Sequence, residues 1–271
     1  MSEAGGGQAG APGLRCWISG IGLLAPGLPG WAASQSVLSG AAPWQDMPVT
    51  LPPPAMLPPT ERRRTSLVVR LALAAAAEAA EASAIPPAAL DTVFASSNGD
   101  GAVVAAILKA LADPQGSVSP TQFHNSVHNA AAGYWGIGAG SQRPSISLGC
   151  HDDTLPLGLL QAAAGVATRR RPILFCAYDA PLPAPLQAAR ATEAVFAMAL
   201  VLLPAPDSTA RASLCLRFGA PLPEASEPGP AIDNPIARGL PLLRALATGR
   251  AAAVGFALAD GGSLLAELAP C

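Results

Sequence analysis

Charge is scarce in this sequence. Of its 271 residues, 13% are Asp, Glu, Lys or Arg, and the formal net charge is −2. No basic stripe is available to neutralise phosphates, which excludes nucleic acid as a partner. Two short basic clusters, Arg62-Arg63-Arg64 and Arg169-Arg170-Arg171, flank helical runs and read as solvated helix ends. Paired cysteine spacing is absent too. Cys16, Cys150, Cys176, Cys215 and Cys271 form an odd, scattered set with no CxxC, the pattern of reduced thiols in the cytosol. Met1 to Gly13 is rich in Gly and Ala, carries Glu3 and has no basic n-region, so no secretory signal is expected. A long uninterrupted apolar run is also missing. The most apolar stretch, Leu67 to Ala84, is broken by Arg70, Glu78 and Glu81, and predicts a buried helix rather than a membrane span. These absences together lead to the expectation of a cytoplasmic protein.

Hydrophobic residues are plentiful at 51%, enough for a sizeable core and too many for a disordered chain. Leu14 to Leu24 reads as a first buried strand, Trp31 to Ser39 as a short helix and the Pro-rich Ala42 to Pro59 as an extended loop. A single long Ala/Leu helix is predicted over Glu61 to Ala82. Strands follow at Asp91 to Ser96, Pro144 to Leu148 and Pro172 to Ala177. Helices are expected at Ala102 to Leu111 and Asp153 to Ala167. This alternation predicts an α/β fold with a sheet between helices. Two adjacent long strands come next, Ala194 to Leu203 and Ala212 to Phe218. Then come a loop from Pro221 to Pro235, a helix over Ile236 to Thr248, and a hairpin of Ala252 to Leu258 with Ser263 to Leu268 around Asp260-Gly261-Gly262. Residues 1–13 are expected to be a flexible N-terminus. Residues 14–271 are expected to form a single domain, with a core over 14–203 and an extension over 204–271. There is no internal repeat.

Candidate chemistry gathers in two places. In Ser145 to Ala163 a strand leads through Gly149-Cys150-His151-Asp152-Asp153 into a helix, a geometry that often carries a nucleophile. A Cys150/His151 pair is one reading. Against it, Asp152 and Asp153 repel a thiolate, so Asp153 is read as a cap whose carboxylate accepts helix N–H groups, with Pro156 in the first turn. In Pro120 to Gly140, Phe123, Val127, Ala131 and Tyr134 recur at helical spacing and predict one helix with an apolar face. His124 and His128 would share a face at i, i+4, as would Asn125 and Asn129. The third ligand and the Glu of HExxH are missing, so no metal and no cofactor are expected. Gly20-x-Gly22 lacks the rest of GxGxxG, and Ser19 and Ser96-Ser97 lack a GxSxG context.

Several of these segments resemble β-ketoacyl synthases. Ile18-Ser19-Gly20-Ile21-Gly22 is similar to their opening strand. Ser119 to Gly133, SPTQFHNSVHNAAAG, is similar to the segment before their active-site strand, and Pro144-Ser145-Ile146-Ser147 to the strand that leads to the nucleophile. Phe175-Cys176-Ala177-Tyr178-Asp179 stands where that family usually has a Gly-Gly-x-Glu turn. The resemblance spans about Arg15 to Leu203. It is closest to the β-ketoacyl synthase-like N-terminal domains found among chain-length-factor-like proteins of aryl-polyene and polyketide pathways. It implies a thiolase-like half, βαβαβαββ, with a mixed sheet between helices, here followed by a short C-terminal helix and β-hairpin. Ungapped alignment from Pro144 places Asp152 at the nucleophile position and Cys150 two residues before it. No His follows Leu203, where the family's second half supplies two. The resemblance thus implies a non-catalytic subunit that pairs with an active ketosynthase and meets an acyl carrier protein; without that partner, apolar surface is expected to be exposed, which makes a homodimer the alternative assembly. It places Phe123, His124, Asn125, His128, Asn129, Ala131, Ala132, Gly133, Tyr134 and Gly136 near the acyl pocket or the shared interface. The alternatives are a thioester-handling acyltransferase using Cys150 with His151 or His128, and a self-associating scaffold.

Overall fold

An eleven-residue strand that is almost entirely apolar needs cover on both faces and both edges. β1 (Leu14–Leu24) has it: from Ile18 onward every residue is buried. The computed structural model describes residues 13–220, 230 and 232–271. Met1 to Pro12 and most of the expected loop from Pro221 to Pro235 lie outside the described residues. After β1 come α1 (Trp31–Leu38), α2 (Pro59–Arg62), α3 (Leu67–Ser83), β2 (Asp91–Ala95), α4 (Gly101–Ala112), α5 (Pro120–Asn125), α6 (Ala130–Ala139) and β3 (Ser145–Leu148). These are followed by α7 (Thr154–Arg169), β4 (Ile173–Asp179), α8 (Leu186–Ala189), β5 (Phe196–Leu203), β6 (Ala212–Gly219), α9 (Leu240–Thr248), β7 (Ala252–Ala257) and β8 (Ser263–Pro270).

The strands form one eight-stranded mixed sheet in the order β3-β2-β4-β5-β1-β6-β8-β7. β2 runs parallel to β3 and β4, as helical crossovers require, and every other pairing is antiparallel. The expected hairpin of β7 and β8 is present. It continues the same sheet beyond β1 through β6 rather than standing apart as an appendage.

Period-two alternation sorts the central strands into two cores. On one face Ile173, Phe175, Phe196, Met198, Leu200, Ile21 and Leu23 meet α7, α1 and α9. On the other, Leu174, Cys176, Ala197, Ala199 and Val201 meet α3 and α6. The second face is built from small residues, so α3 lies very close to the sheet. A Cβ on Gly20 would sit 1.9 Å from the Ala79 carbonyl oxygen, and one on Gly22 would sit 2.0 Å from that of Ala75. The Gly-x-Gly pair therefore serves helix–strand packing.

Expectations about two helices and one basic cluster need correction here. The single helix over 61–82 is two helices, α2 and α3, separated at 63–66. Ser66 caps α3 by accepting from the Val69 N–H at 3.3 Å. The helix over 236–248 is a 3-10 turn, Pro235–Gly239, followed by α9 with a proline in its first turn. Arg169 is more than a solvated helix end. With Arg143 it neutralises Asp91, which is 1% exposed; the distances are 3.3 Å from Arg169 Nη1 and 2.6 Å from Arg143 Nη2. No helix among the described residues is long and apolar enough to cross a membrane.

Candidate functional site

The carboxyl ends of parallel strands are where open α/β sheets place ligands. Here β2, β3 and β4 end together over a buried carboxylate. Asp179, the last residue of β4, is fully buried. Its Oδ1 accepts from Ser96 Oγ at 2.6 Å and from the Asn98 N–H at 3.0 Å; its Oδ2 accepts from the Ser97 N–H at 3.1 Å. Burial raises the carboxyl pKa above its ordinary value, outweighing those donors. Ser96 Oγ in turn accepts from the Gly99 N–H at 2.8 Å. Asn98 donates to Thr192 Oγ1 at 3.1 Å, and Asn234 donates to the Asp179 carbonyl at 3.1 Å. The loop after β2 is thereby fixed to β4. Phe175 to Asp179 lies within β4, so the segment compared above with a turn is a strand whose last residue anchors one.

The turn after β3 joins this network through its backbone. Ser97 Oγ donates to the His151 carbonyl at 2.8 Å. His151 has φ +52°, a left-handed conformation that is unfavourable for a residue with a Cβ. Thr154 Oγ1 holds the turn by accepting from the Cys150 N–H at 2.8 Å and donating to the His151 carbonyl at 2.7 Å. The expected carboxylate cap is not formed. Asp153 occupies the cap position of α7, but its side chain accepts no helix N–H. Instead Oδ2 accepts from the Ala259 N–H at 2.9 Å, and Oδ1 lies 3.3 Å from Arg238 Nη1. Arg238 also donates to the carbonyls of Asp152 and Ala257. Asp152 pairs with Arg190, and its Oδ2 lies 3.2 Å from His151 Nδ1. The two carboxylates thus clamp the turn to α8 and to the β7–β8 hairpin. Three-dimensional contacts outcompeted the cap because an arginine and a hairpin N–H both converge on Asp153. Asp153→Ala is expected to destabilise the chain by about 1–2 kcal/mol. Amide exchange should show lost protection at Ala259, and unchanged protection there would refute the clamp.

The segment from 120 to 140 is not one helix. α5 ends at Asn125, and α6 begins at Ala130. Phe123 and Val127 are 68% and 47% exposed, so they form no common apolar face with buried Ala131 and Tyr134. His124 and His128 separate for the same reason. His124 packs edge-on against Tyr134, with ring centroids 5.6 Å apart, and His128 Nε2 lies 2.9 Å from the Ser96 carbonyl. Asn125 is buried, donates to the Arg64 carbonyl at 2.8 Å and accepts from the Tyr134 hydroxyl at 3.1 Å. Asn129 starts α6 without a side-chain cap. Ala131 and Ala132 belong to the core beneath α3. Gly133 faces open space, and only the Ser141 carbonyl, at 3.5 Å, would meet a Cβ on Gly136. Among the described residues, no group of three His, Cys, Asp or Glu is placed to hold a metal ion.

A sequence profile for the β-ketoacyl synthase N-terminal domain matches residues 31–254. The chain belongs to this family. No curated protein sequence matches it. Solved structures of similar fold include three ketosynthase complexes. One is the ketosynthase ApeO in complex with its chain length factor ApeC from Xenorhabdus doucetiae. It is 23% identical with a TM-score of 0.70, and the match covers 93% of this chain and 99% of that one. Another is the ishigamide ketosynthase/chain length factor, 15% identical, TM-score 0.72, covering 94% and 99%. A third is AntDE:AntF, a type II polyketide synthase acyl-carrier protein in complex with its ketosynthase bound to the hexaketide. It is 11% identical, with a TM-score of 0.73 and coverage of 95% and 99%.

Within this ketosynthase-family domain, sequence reasoning missed Asp179, Asn234, Arg190 and Arg238. A lone Asp that closes an apolar strand was the available signal for Asp179, since a buried carboxylate needs several donors. The two arginines and Asn234 come from distant segments and carried no local signal.

Proposed function

We propose that this chain is a chain-length-factor-like subunit that pairs with a catalytically active ketosynthase and shapes the acyl-chain pocket. One observation carries the reading. α4, GAVVAAILKALA, is apolar apart from Lys109, yet Gly101 is its one buried residue. Leu108 and Leu111 are 50% and 71% exposed. α5 packs beside it with Phe123 exposed, and β3 is an incompletely covered strand at the sheet edge. An exposed apolar helix and an open strand edge are each the kind of surface that a partner chain covers. The ketosynthase/chain-length-factor complexes among the similar folds support a ketosynthase as that partner. The interface candidates Phe123, His124, Gly133 and Gly136 lie on α5 and α6, and Asp152 stands as the proposed replacement for a nucleophile.

Co-expression with a candidate ketosynthase tests the pairing by size exclusion and product-length analysis. Leu111→Arg is expected to abolish co-elution while changing the stability of the isolated chain by no more than about 0.5 kcal/mol. Retained co-elution would overturn the placement of the interface.

The second reading, acyl transfer through Cys150, is favoured by the position of that residue where β3 enters the turn toward α7, half-buried. It predicts stoichiometric labelling by a cysteine-reactive acyl electrophile, abolished in Cys150→Ala. The subunit reading predicts that Cys150→Ala leaves pairing and product length unchanged.

A further inference from the structure

The sheet ends in β3 on one side and in β7 on the other. β3 belongs to the proposed pairing surface; β7 does not. The Leu258 N–H donates to the Gly262 carbonyl at 2.8 Å, which fixes the phase of the β7–β8 hairpin. Val254 and Phe256 therefore turn their main-chain groups toward Ala266 and Leu264 of β8, and Ala253, Gly255 and Ala257 turn theirs outward. Near the turn this outward row is closed. Arg238 donates to the Ala257 carbonyl, and Asp153 accepts from the Ala259 N–H. Farther along, the outward N–H and C=O groups of Ala253 and Gly255 have no partner among the described residues. Edge strands are commonly defended by a lysine, a proline or a bulge. β7, Ala-Ala-Val-Gly-Phe-Ala, carries no charge and no proline, and its register with β8 runs without a shift. Val254 and Phe256 are buried, while Ala253, Gly255 and Ala257 are exposed and project nothing larger than a methyl. A glycine inside a strand weakens it and marks a place where another backbone can come close.

We infer that β7 pairs with β7 of a second copy of this chain, antiparallel about a two-fold axis, so that the sheet runs unbroken through both copies. Setting Ala253 of each copy opposite Gly255 of the other lets these two residues exchange the main-chain hydrogen bonds that they lack. Charge favours the same arrangement. The strand is flanked by Arg250 before it and Asp260 after it; both are exposed, and neither makes an ion pair with a described residue. In this register Arg250 of one copy lies opposite Leu258 of the other, next but one to Asp260, and the two-fold axis repeats the match at the other end. A parallel pairing would set Arg250 against Arg250. An uncharged strand with opposite charges at its two ends is thus complementary to its own copy. The inference does not rest on the proposed pairing with a ketosynthase, because β3 lies at the opposite edge of the sheet and stays open in this dimer.

The test is size exclusion with light scattering on a dilution series of the full-length chain, under reductant because Cys271 is an exposed thiol. The expected result is a dimer that dissociates on dilution. Gly255→Pro removes an outward donor and sets a ring where the second strand would lie, yet keeps every bond to β8. It should raise the dissociation constant by about tenfold or more. Leu111→Arg, on the other surface, should leave the dimer unchanged. Amide exchange of the wild type keeps the inference testable if Gly255→Pro fails to fold: protection at Ala253 and Gly255 should rise with protein concentration. A chain that stays monomeric throughout the series would overturn the inference. So would a dimer that survives Gly255→Pro or is broken by Leu111→Arg, or exchange at Ala253 and Gly255 that ignores concentration. Protection that appears there when a ketosynthase is added, and not before, would give the edge to that partner and overturn the inference as well.

Discussion

Gly22→Ala is expected to be among the most destabilising single changes in this chain, at about 3 kcal/mol or more. The added methyl would lie 2.0 Å from the Ala75 carbonyl oxygen and 3.1 Å from the Ala79 nitrogen. Both are backbone atoms of α3, so no side-chain rotation relieves the clash. α3 would have to lift from β1, β5 and β4 together, opening the core formed by Ala72, Ala76, Ala199 and Val201. Gly133→Ala is the control. Nothing lies within 4 Å of its Cβ position, and the residue is within α6. There the better helix former should add about 0.5–1 kcal/mol. Denaturant unfolding of the two variants should therefore shift in opposite directions. Equal midpoints would show that the close approach of α3 does not matter. Gly133 also lies in the proposed pocket region, so its alanine variant separates stability from product length in a paired complex.

Asp179→Ala should cost about 3 kcal/mol, because it leaves the Ser96 hydroxyl and the Ser97 and Asn98 N–H groups without their acceptor. Asp179→Asn should cost less than Ala. It keeps the oxygen that serves Ser96 and Asn98 but presents an amide to the Ser97 N–H. The pH dependence separates charge from shape. Burial raises the folded-state pKa of Asp179. A raised carboxyl pKa means that the folded state binds the proton more tightly than the unfolded state does. The resulting stability is fully present below the unfolded carboxyl pKa and is lost as pH rises through the folded value. The stability of the wild type relative to Asp179→Asn should therefore grow as pH falls from neutrality into the carboxylate range. Urea titrations at pH 7 and pH 5 measure this, and a difference that shrinks on acidification would reverse the sign of the burial effect. Because Ser97 also donates to the His151 carbonyl, Asp179→Ala should loosen the turn after β3 as well. Exchange at the Asp153 amide, bonded to the Cys150 carbonyl at 3.0 Å, reports that loosening.

The strands were the legible part of this fold. β1 begins and ends where its apolar run does, and the Asp260-Gly261-Gly262 hairpin joins the strands it was expected to join. Long apolar runs bounded by Pro and Gly leave few alternatives. Helix boundaries were less legible. Ser66 competes for the end of α3 through its own side chain, and Ser126 to Asn129 break a helical spacing that continues on paper. At the candidate site the turn itself was legible, but the use of its carboxylates was not. A cap depends on neighbours in sequence, whereas Arg190, Arg238 and Ala259 reach Asp152 and Asp153 from segments 38 to 106 residues away.

By itself the sequence determined an α/β chain of the β-ketoacyl synthase type, scarce in charge, with a Cys-His-Asp-Asp turn where β3 runs toward α7. Period and composition decide these things, because apolar spacing selects the element. The tertiary structure alone decided what that scarcity of charge is for. Among the described residues three aspartates are buried: Asp91 is held by two arginines, Asp179 by a serine and two backbone amides, and Asp100 caps α4 by accepting from the Val103 N–H. Burial is a property of the assembled sheet, and an ionisable group under it needs donors gathered from several strands at once. No local pattern in the chain can specify that gathering.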